Sequence, residues 1–532
     1  MHPFISEIFD GPGRKESIVV LIVAISVAHW LIAPSAFGLL GDLLFIGTEQ
    51  DEFAHNCDVL AKKLNIADLT VWTTQYVAAG TELNLTVDEP LSKGSARCTD
   101  PGWGTTVPFI TTVDMCRITS ALRTSDRSEI SIETWLPRNW TGRLLSTGNG
   151  ALGGYPDVLI QSSAHLAVVV GKQIVHSFYG QPSTKAYYYG CSRGGGQGWK
   201  EAQDFPDDFD GILVGCAALR GVDLFSWTAN FRLIVGAPEA ASFVPLSKWE
   251  IVHGNVIEQC DGLDGAMDGI VEYPSACAYD PSQLICSPSS TDFDQCLTAP
   301  QAVTVGKVYS DFLVQDEIFI YPGLPPSSEL EIVPWGTLSG QPHEAAQDYF
   351  RFAVYDDPKW DSLSMTQDDI LYARQKDPGG LQVWSGNLTA FAERGSKILA
   401  YHGTQDAYIP STIDRIYWQH VSHTMGLSSS QMDEFYRLFK IGGMGHCSGG
   451  SGAWYIGQPG YSPVATHPDQ NALMALVKWV EIGIGPEVLL GTKYINDDFT
   501  AEIDLQRAHC KYPTRNVFQG GDWKDFRNWK CV

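Results

Sequence analysis

Short, near-continuous apolar runs alternate with longer helical segments in the central part of this 532-residue chain. Residues 211–215 are fully apolar, and residues 185–189 are apolar after Lys185. Residues 156–179 carry apolar side chains at helical spacing, and residues 197–209 also predict a helix. Strands without a polar face are buried on both sides, and strands that alternate with helices form a parallel sheet. The pattern therefore predicts an α/β fold.

The alternation follows a β-rich region, is interrupted once and then returns. Residues 68–150 contain several short β-type segments, among them 111–113, after a short helix predicted at 57–64. The alternation stops near residue 220 and resumes near residue 397; the interval contains four cysteines, proline-rich stretches and acidic helices. Strands predicted at 397–401 and 435–441 and an amphipathic helix at 469–481 complete the pattern. The predicted organisation is an N-terminal segment at 1–40, a main α/β domain at 41–220 and 395–532, and an inserted domain at 221–394.

The N-terminal segment predicts export. Two basic residues, Arg14 and Lys15, precede the apolar run 18–33, and the small residues at 34–36 offer a cleavage region. We interpret residues 1–40 as a secretory signal; the alternative is an uncleaved signal anchor, although the run is short for a membrane-spanning helix. In both cases the bulk of the chain faces an oxidising compartment, so its 12 cysteines should be paired. Three N-glycosylation sequons agree with an extracellular protein, and they begin at Asn84, Asn139 and Asn387.

The net charge of −25 argues against nucleic acid as a partner. Binding to phosphate groups requires a basic face, and the same reasoning applies to an anionic membrane surface. A membrane is therefore expected as a partner only if the N-terminal segment is retained.

A possible nucleophile lies directly after the apolar strand at 185–189. Gly190, Ser192 and Gly194 fit the pattern G-x-S-x-G, in which a serine occupies a sharp turn between a strand and a helix. Glycines flank such a serine because the tight backbone leaves no space for a Cβ atom. The pattern alone also fits a glycine-rich surface turn.

A serine nucleophile requires a base and a carboxylate that orients the base. Asp406 follows the strand at 397–401, and His446 follows the strand at 435–441 within a glycine-rich loop. The carboxyl ends of parallel strands meet at one edge of the sheet, where sites form. The chain order Ser192, Asp406, His446 is that of an α/β-hydrolase.

Cysteines flank two of these three residues. Cys191 precedes the serine and Cys447 follows the histidine. A bond between them would clamp the nucleophile and base loops together and preorganise the site. A Cys191 thiolate is the competing nucleophile; we reject it because the turn centres on Ser192 and the compartment is oxidising.

Together these motifs resemble the fungal tannase and feruloyl esterase family. The resemblance rests on Gly-Cys-Ser-x-Gly-Gly, a Tyr-His-Gly-x-x-Asp loop and Gly-His-Cys, and it extends from about residue 57 to the C-terminus. It implies an α/β-hydrolase fold with a lid domain, which corresponds to the inserted domain at 221–394. It also implies a serine carboxylesterase for phenolic-acid esters of plant cell walls, with feruloyl or related esters slightly favoured over galloyl esters. The alternative is a secreted relative that has lost catalysis and binds a polyphenol or a carbohydrate.

The resemblance assigns roles to the motif residues. Ser192 attacks the ester carbonyl, His446 acts as general base and then acid, and Asp406 orients His446. Backbone N–H groups stabilise the developing oxyanion; Arg193 follows the nucleophile and supplies one, and Gly150, in a glycine-rich loop after a strand, is our choice for the second. The implied disulfides are Cys191–Cys447, Cys260–Cys277, Cys286–Cys296 and Cys510–Cys531. The partners of Cys57, Cys98, Cys116 and Cys216 stay open.

A structural calcium ion is also expected in the inserted domain. Asp261, Asp264 and Asp268 lie three and four residues apart in a glycine-rich loop, and their carboxylates suit a hard cation. Ala266 and Ile270 could add backbone carbonyls. From the residues alone, an acidic turn without an ion is equally consistent; the family resemblance favours calcium.

The chain departs from the family pattern in one respect. Relatives have a further segment, containing a buried strand, before the helix that precedes the serine. This chain has no apolar strand between Leu145 and Lys185. Because the absent strand would lie inside the sheet, its neighbours would keep unpaired backbone groups. The sheet therefore lacks one strand, or another part of the chain fills the gap.

Overall fold

The structure is a computed structural model that describes residues 17–23, 42–83, 109–126, 128–148, 159–315, 317–460 and 468–532. The chain divides into two units, one of Met1–Tyr155 and Leu159–Tyr188 and the other formed mainly by Tyr189–Val532. The elements of the first unit are β1 (Ser17–Val23), α1 (Asp42–Lys63), β2 (Leu69–Val77), β3 (Glu82–Leu83), β4 (Phe109–Ile110), β5 (Met115–Arg123), β6 (Glu129–Pro137), β7 (Arg143–Thr147) and α2 (Leu159–Tyr179).

The first unit contains a mixed sheet in the order β2-β5-β6-β1-β7. Neighbouring strands are antiparallel, except that β1 runs parallel to β6. Strands β5 and β6 are buried along almost their whole length, as expected for strands inside a sheet. Residues 111–113, which the sequence predicts as strand, instead form a bend between β4 and β5, where the Thr111 hydroxyl donates to the carbonyl of Ala78 at 2.7 Å.

The N-terminal apolar run fills the predicted gap in the sheet. Strand β1 pairs with β6 from Ser17↔Glu129 to Val23↔Trp135, and with β7 at Ile22↔Ser146 and Val23↔Leu145. It therefore gives hydrogen-bond partners to two strands that would otherwise face each other across an empty position. The remainder of the predicted signal, residues 1–16 and 24–40, lies outside the described residues.

Strand β1 and a cleaved signal exclude each other in one mature molecule. We expect a chain that begins after Ala36 to lose on the order of 5 kcal/mol of unfolding free energy relative to the full chain, because seven residues of β6 lose a partner strand. Thermal unfolding of the two forms measures this difference, and N-terminal sequencing of the protein from its natural source shows which form is mature. Equal melting temperatures would show that β1 contributes nothing to stability.

Strand β8 (Lys185–Cys191) leads from the first unit into the second. The further strands of the second unit are β9 (Gly211–Gly215), β10 (Phe312–Val314), β11 (Ile318–Tyr321), β12 (Lys397–Gly403), β13 (Tyr436–Ile441), β14 (Val488–Tyr494), β15 (Ile503–Cys510), β16 (Asn516–Phe518) and β17 (Trp529–Cys531). Its helices are α3 (Arg193–Asp204), α4 (Gly221–Val235), α5 (Trp249–Cys260), α6 (Ala299–Tyr309), α7 (Glu329–Ile332), α8 (Glu344–Asp348), α9 (Gln367–Lys376), α10 (Thr389–Glu393), α11 (Thr412–Met425), α12 (Ser429–Met432) and α13 (Ala472–Ile482).

Three parallel strands organise the second unit. Strand β12 pairs with β9 on one side and with β13 on the other, so their carboxyl ends meet at one edge. All five residues of β9 are buried, as their apolar character predicts. Helix α3 begins at Arg193, four residues before the predicted start. The segment 221–394, predicted as the inserted domain, contains α4 to α10 and the β10–β11 hairpin. Among the helices of the described residues, none combines the length and apolar character that a membrane span requires.

Candidate active site

A strained serine lies between β8 and α3. Ser192 has φ 62° and ψ −122°, and α3 begins at the next residue. A positive φ is unfavourable for a residue with a side chain, so the surrounding structure must hold it. Here the Ser192 N–H donates to the carbonyl of Gly215 at 2.9 Å. Position 190 accommodates only glycine, because a Cβ atom there would lie 2.4 Å from the carbonyl carbon of Gly194.

The three residues predicted from chain order form a row in which His446 lies within hydrogen-bond distance of both Ser192 and Asp406. His446 Nε2 is 2.8 Å from Ser192 Oγ, and His446 Nδ1 is 2.8 Å from Asp406 Oδ2. Because a carboxylate only accepts, Nδ1 donates to Asp406, which leaves Nε2 as the acceptor for the serine hydroxyl. The tautomer is thus the one in which the imidazole can take the serine proton.

Asp406 is held from both sides. Its Oδ1 accepts from the backbone N–H groups of Tyr408 and Ile409, both at 2.9 Å. Its Oδ2 accepts from His446 and also lies 3.1 Å from Nε2 of His402. The carboxylate is fully buried, and these contacts fix its plane.

His402 extends the arrangement behind Asp406. Its Nε2 faces two acceptors, Asp406 Oδ2 and the carbonyl of Ile409 at 2.7 Å, and its Nδ1 faces Asp414 Oδ2 at 2.6 Å. Since both ring nitrogens face acceptors only, both carry protons and the ring is an imidazolium. Ser192, His446, Asp406, His402 and Asp414 therefore form one continuous chain of hydrogen bonds.

The pKa values follow from this geometry. Burial lowers the pKa of His402, but the charge of Asp414 and the hydrogen bonds to both carboxylates raise it to about 9. Burial raises the pKa of Asp406, and the charges and hydrogen bonds of His446 and His402 reverse this and hold it well below its ordinary range. Burial also lowers the pKa of His446, and the charge of Asp406 then raises it above its ordinary value. Asp406 stays ionised at neutral pH.

A disulfide joins the two loops that carry the serine and the histidine. Cys191 and Cys447 are bonded, with Cα atoms 6.1 Å apart and a sequence separation of 256. Cys447 has φ 65°, so the residue after the histidine is also in the left-handed region. The loop geometry predicted from the two flanking cysteines is thus present in the structure.

Cys216 lies beside this disulfide as a buried free thiol. The sulfurs of Cys191, Cys216 and Cys447 lie within 4.8 Å of one another, and the Cys447 N–H donates to Cys216 Sγ at 3.2 Å. Burial and the charge of Asp406 raise the pKa of the Cys216 thiol well above its ordinary value, so it is protonated and a poor nucleophile.

One of the two predicted oxyanion donors can be placed. Arg193 is the first residue of α3, so its N–H belongs to the positive end of that helix, directly after Ser192. Gly150 lies outside the described residues, and the second donor is therefore not located.

Two aspartates of the predicted calcium loop, Asp261 and Asp264, are buried. Asp261 Oδ1 accepts from the N–H groups of Gly269 and Ile270, and Asp264 Oδ1 accepts from the Ala266 N–H at 2.8 Å. The other Asp264 oxygen is buried without a hydrogen-bond partner among the described residues.

The charges of this loop are not balanced. Burial, with the charges of Glu272 and Asp268, raises the pKa of Asp264 to about 7. The only basic group bonded to these acids in the described structure is Arg507, which pairs with Asp268 at 2.7 Å and with Glu272 at 3.1 Å. Carboxylate oxygens suit a hard cation, but Asp268 is bonded to Arg507. Asp261, Asp264 and Asp268 are not among the groups of described residues whose ligand atoms all lie within 4.8 Å of one another.

The remaining predicted residues are placed as follows. All four implied disulfides are present, and a fifth joins Cys57 to Cys116. Cys98 and Asn84 lie outside the described residues. Asn139 and Asn387 are exposed, and the Asn387 side chain accepts from Thr389 Oγ1 at 2.7 Å within its own sequon.

These features define an α/β-hydrolase. The strands are parallel, a strained serine lies on a strand-to-helix turn, and an aspartate and a histidine lie in loops after later strands. Residues 161–532 match the family model described as tannase and feruloyl esterase, and the chain belongs to this family. It is therefore a carboxylic ester hydrolase.

Similar proteins come from Emericella nidulans and Aspergillus oryzae. The chain is 39% identical over 521 residues to a probable feruloyl esterase B of Emericella nidulans, which covers 91% of this chain and 96% of the relative. A crystal structure of an esterase from Aspergillus oryzae superposes with a TM-score of 0.84 at 37% identity. Feruloyl esterase B from the same organism gives 0.83 at 36%; both matches cover 90% of this chain and all of the other.

Sequence reasoning missed four groups at the site. His402 and Asp414 could have been found from the sequence because of their spacing from Asp406. They lie four residues before and eight residues after it, on the strand and the helix that flank its loop. Cys216 immediately follows β9, which places it at the same sheet edge. Glu331, which contacts the histidine loop, comes from the segment 221–394 and has no local pattern that marks it.

Proposed function

We propose that this protein is a secreted feruloyl esterase that hydrolyses esters of hydroxycinnamic acids through Ser192, His446 and Asp406. The observation that carries the proposal is the pair of 2.8 Å contacts from Ser192 through His446 to Asp406, centred on a strained serine. The preference for feruloyl over galloyl esters is supported by the similar relatives, which are named feruloyl esterases.

The proposed reaction is a two-step acyl transfer. His446 Nε2 takes the proton of Ser192 as Oγ attacks the ester carbonyl, and the Arg193 N–H helps to stabilise the oxyanion. The imidazolium returns this proton to the leaving alcohol, which leaves the phenolic acid bound to Ser192. Water, deprotonated by His446, then releases the acid and restores the serine. Asp406 keeps the imidazole in the required tautomer and stabilises its charged form.

Two measurements test this proposal. The purified protein should hydrolyse methyl ferulate faster than methyl gallate, and a fluorophosphonate probe should label Ser192, as shown by peptide mass spectrometry. Labelling without hydrolysis of any phenolic ester would point to another ester substrate. Failure of both would favour the alternative, a relative that binds polyphenol or carbohydrate without catalysis.

We propose that the protein acts outside the cell. Five disulfides among the described residues suit an oxidising compartment, and the exposed sequons at Asn139 and Asn387 suit passage through the secretory pathway. We propose glycans at these two residues and at Asn84. Retention of the N-terminal segment as an anchor would instead leave the protein in the membrane fraction.

We also propose a structural calcium ion at the loop of Asp261, Asp264 and Asp268, with the carbonyls of Ala266 and Ile270 as further ligands. The buried Asp264 oxygen without a partner and the excess of carboxylates over Arg507 support it. The ion would neutralise the loop and has no part in the acyl transfer.

Removal of this ion should destabilise the protein. We expect EDTA to lower the melting temperature, and excess calcium to restore it, because an ion bound only by the folded state stabilises by about 2.7 kcal/mol at a hundredfold excess over Kd. An Asp264→Asn variant should show a lower melting temperature and no response to EDTA. A wild-type melting temperature that EDTA does not change would contradict the calcium site.

A further inference from the structure

Glu331 connects the two loops that carry the acid and the base. It lies in α7, within the segment 221–394, and its two oxygens accept from two different loops. Oε2 accepts from the Ala407 N–H at 2.8 Å, and Oε1 accepts from the His446 N–H at 2.6 Å. Gly445 permits this approach, because a Cβ there would lie 2.4 Å from Oε1.

These contacts act on the backbone of the catalytic residues themselves. Ala407 is the residue after Asp406, and the second donor is the N–H of His446. One rigid carboxylate therefore sets the spacing between the peptide units at Asp406 and His446. Charge-assisted hydrogen bonds of this kind are shorter and stronger than neutral ones.

In its ionised form, which prevails above about pH 7, the same carboxylate places a negative charge beside the imidazole. Burial, followed by the charge of Asp406, raises the pKa of Glu331 to about 7, while the two N–H groups oppose the shift. Burial lowers the pKa of His446, whereas the charges of Asp406 and then Glu331 favour its charged form, and the positive charge of His402 opposes them. A general base with this environment keeps its proton to a higher pH than an ordinary histidine.

We propose that Glu331 is a positioning residue through which the segment 221–394 fixes the Asp406–His446 pair and stabilises the imidazolium formed during acyl transfer. This inference rests on the proposed esterase function. It makes the segment part of the catalytic apparatus and not only a cover for the substrate.

A Glu331→Gln variant tests both parts of this role. The amide places an NH₂ group against one of the two backbone N–H donors, so one contact is lost, and the negative charge is lost with it. We expect kcat for methyl ferulate to fall by about 10- to 100-fold with little change in KM, as for a small misplacement of a catalytic group. We also expect the acid limb of kcat/KM to move to lower pH, because removal of a negative charge lowers the pKa of His446.

Two further variants separate position, charge and folding. Glu331→Asp keeps the charge but shortens the side chain, so kcat should fall while the acid limb stays near its wild-type position. Glu329→Gln is the matched control in the same helix: Glu329 is buried and bonds His253 and Tyr309, and it contacts no residue of the Ser192–His446–Asp406 set. It should lower the melting temperature without moving the acid limb.

The outcomes are distinct. A Glu331→Gln protein with wild-type kcat and an unmoved acid limb would overturn the inference, even if the wild type is an active esterase. So would equal effects of Glu331→Gln and Glu329→Gln on kcat and the limb, since that would show a folding effect alone. A wild-type protein that neither hydrolyses phenolic esters nor labels at Ser192 would reject the proposed function itself.

Discussion

Replacing Ser192 with alanine is expected to lower kcat for methyl ferulate by on the order of 10⁶-fold, as removal of the nucleophile does in serine hydrolases with this arrangement. The remaining imidazole cannot substitute for the serine, because it lies 2.8 Å behind Oγ and is hydrogen-bonded to Asp406. The buried Cys216 thiol does not replace it either, because burial and the Asp406 charge keep it protonated.

The measurement is single-turnover and steady-state hydrolysis, with fluorophosphonate labelling in parallel. Ser310→Ala is a suitable control, because Ser310 is an exposed serine whose hydroxyl bonds only Gly306 among the described residues. Substantial residual turnover in Ser192→Ala, with unchanged labelling, would mean that another residue is the nucleophile.

Replacing Asp406 with asparagine is expected to lower kcat by about 10⁴-fold, the effect of the equivalent change in a serine protease. The backbone N–H groups of Tyr408 and Ile409 both point at Oδ1, so the amide oxygen of the variant takes that position. The amide NH₂ group then faces His446 and His402. His446 Nδ1 must accept instead of donate, its proton moves to Nε2, and the imidazole no longer accepts from Ser192.

His402 strengthens this effect. It carries two protons in the wild type, and in the variant its Nε2 proton loses the Asp406 acceptor and keeps only the carbonyl of Ile409. Asp414→Asn serves as a milder comparison, because Asp414 contacts His402 and not His446. We expect it to lower kcat much less than Asp406→Asn does. A loss of less than tenfold in Asp406→Asn at every pH would contradict the role of Asp406.

The apolar runs along the chain predicted one strand and the positions of the three site residues after their strands. Strand β9 begins and ends at the predicted residues, and Ser192, Asp406 and His446 follow their strands as expected. Apolar runs and their bounding turns encode these features within a few residues. The pairing of Cys191 with Cys447 needed the family resemblance, because spacing along the chain does not select a partner.

Other features depend on contacts that periodicity does not contain. Glu331 reaches His446 across 115 residues, and nothing in its own segment distinguishes it from Glu329. The run at Ser17–Val23 is ambiguous for a different reason: an apolar segment of that length is equally suitable as part of an export signal and as an inner strand of a sheet. Only the empty position between β6 and β7 distinguishes an inner strand from an export signal. That position is defined by the assembled sheet and not by the local sequence.

The thiol of Cys216, beside the Cys191–Cys447 disulfide, makes the order in which the cysteines are synthesised important for folding. Cys191 and Cys216 leave the ribosome together, whereas Cys447 follows Cys216 by 231 residues. Until it is made, Cys216 is, among the described cysteines, the thiol that the fold places beside Cys191. A bond between these two would occupy the sulfur that the base loop needs, and thiol–disulfide exchange would have to transfer it to Cys447. We therefore expect a Cys216→Ala chain, which lacks this competitor, to give a higher yield of correctly bonded protein in a host with weak disulfide exchange.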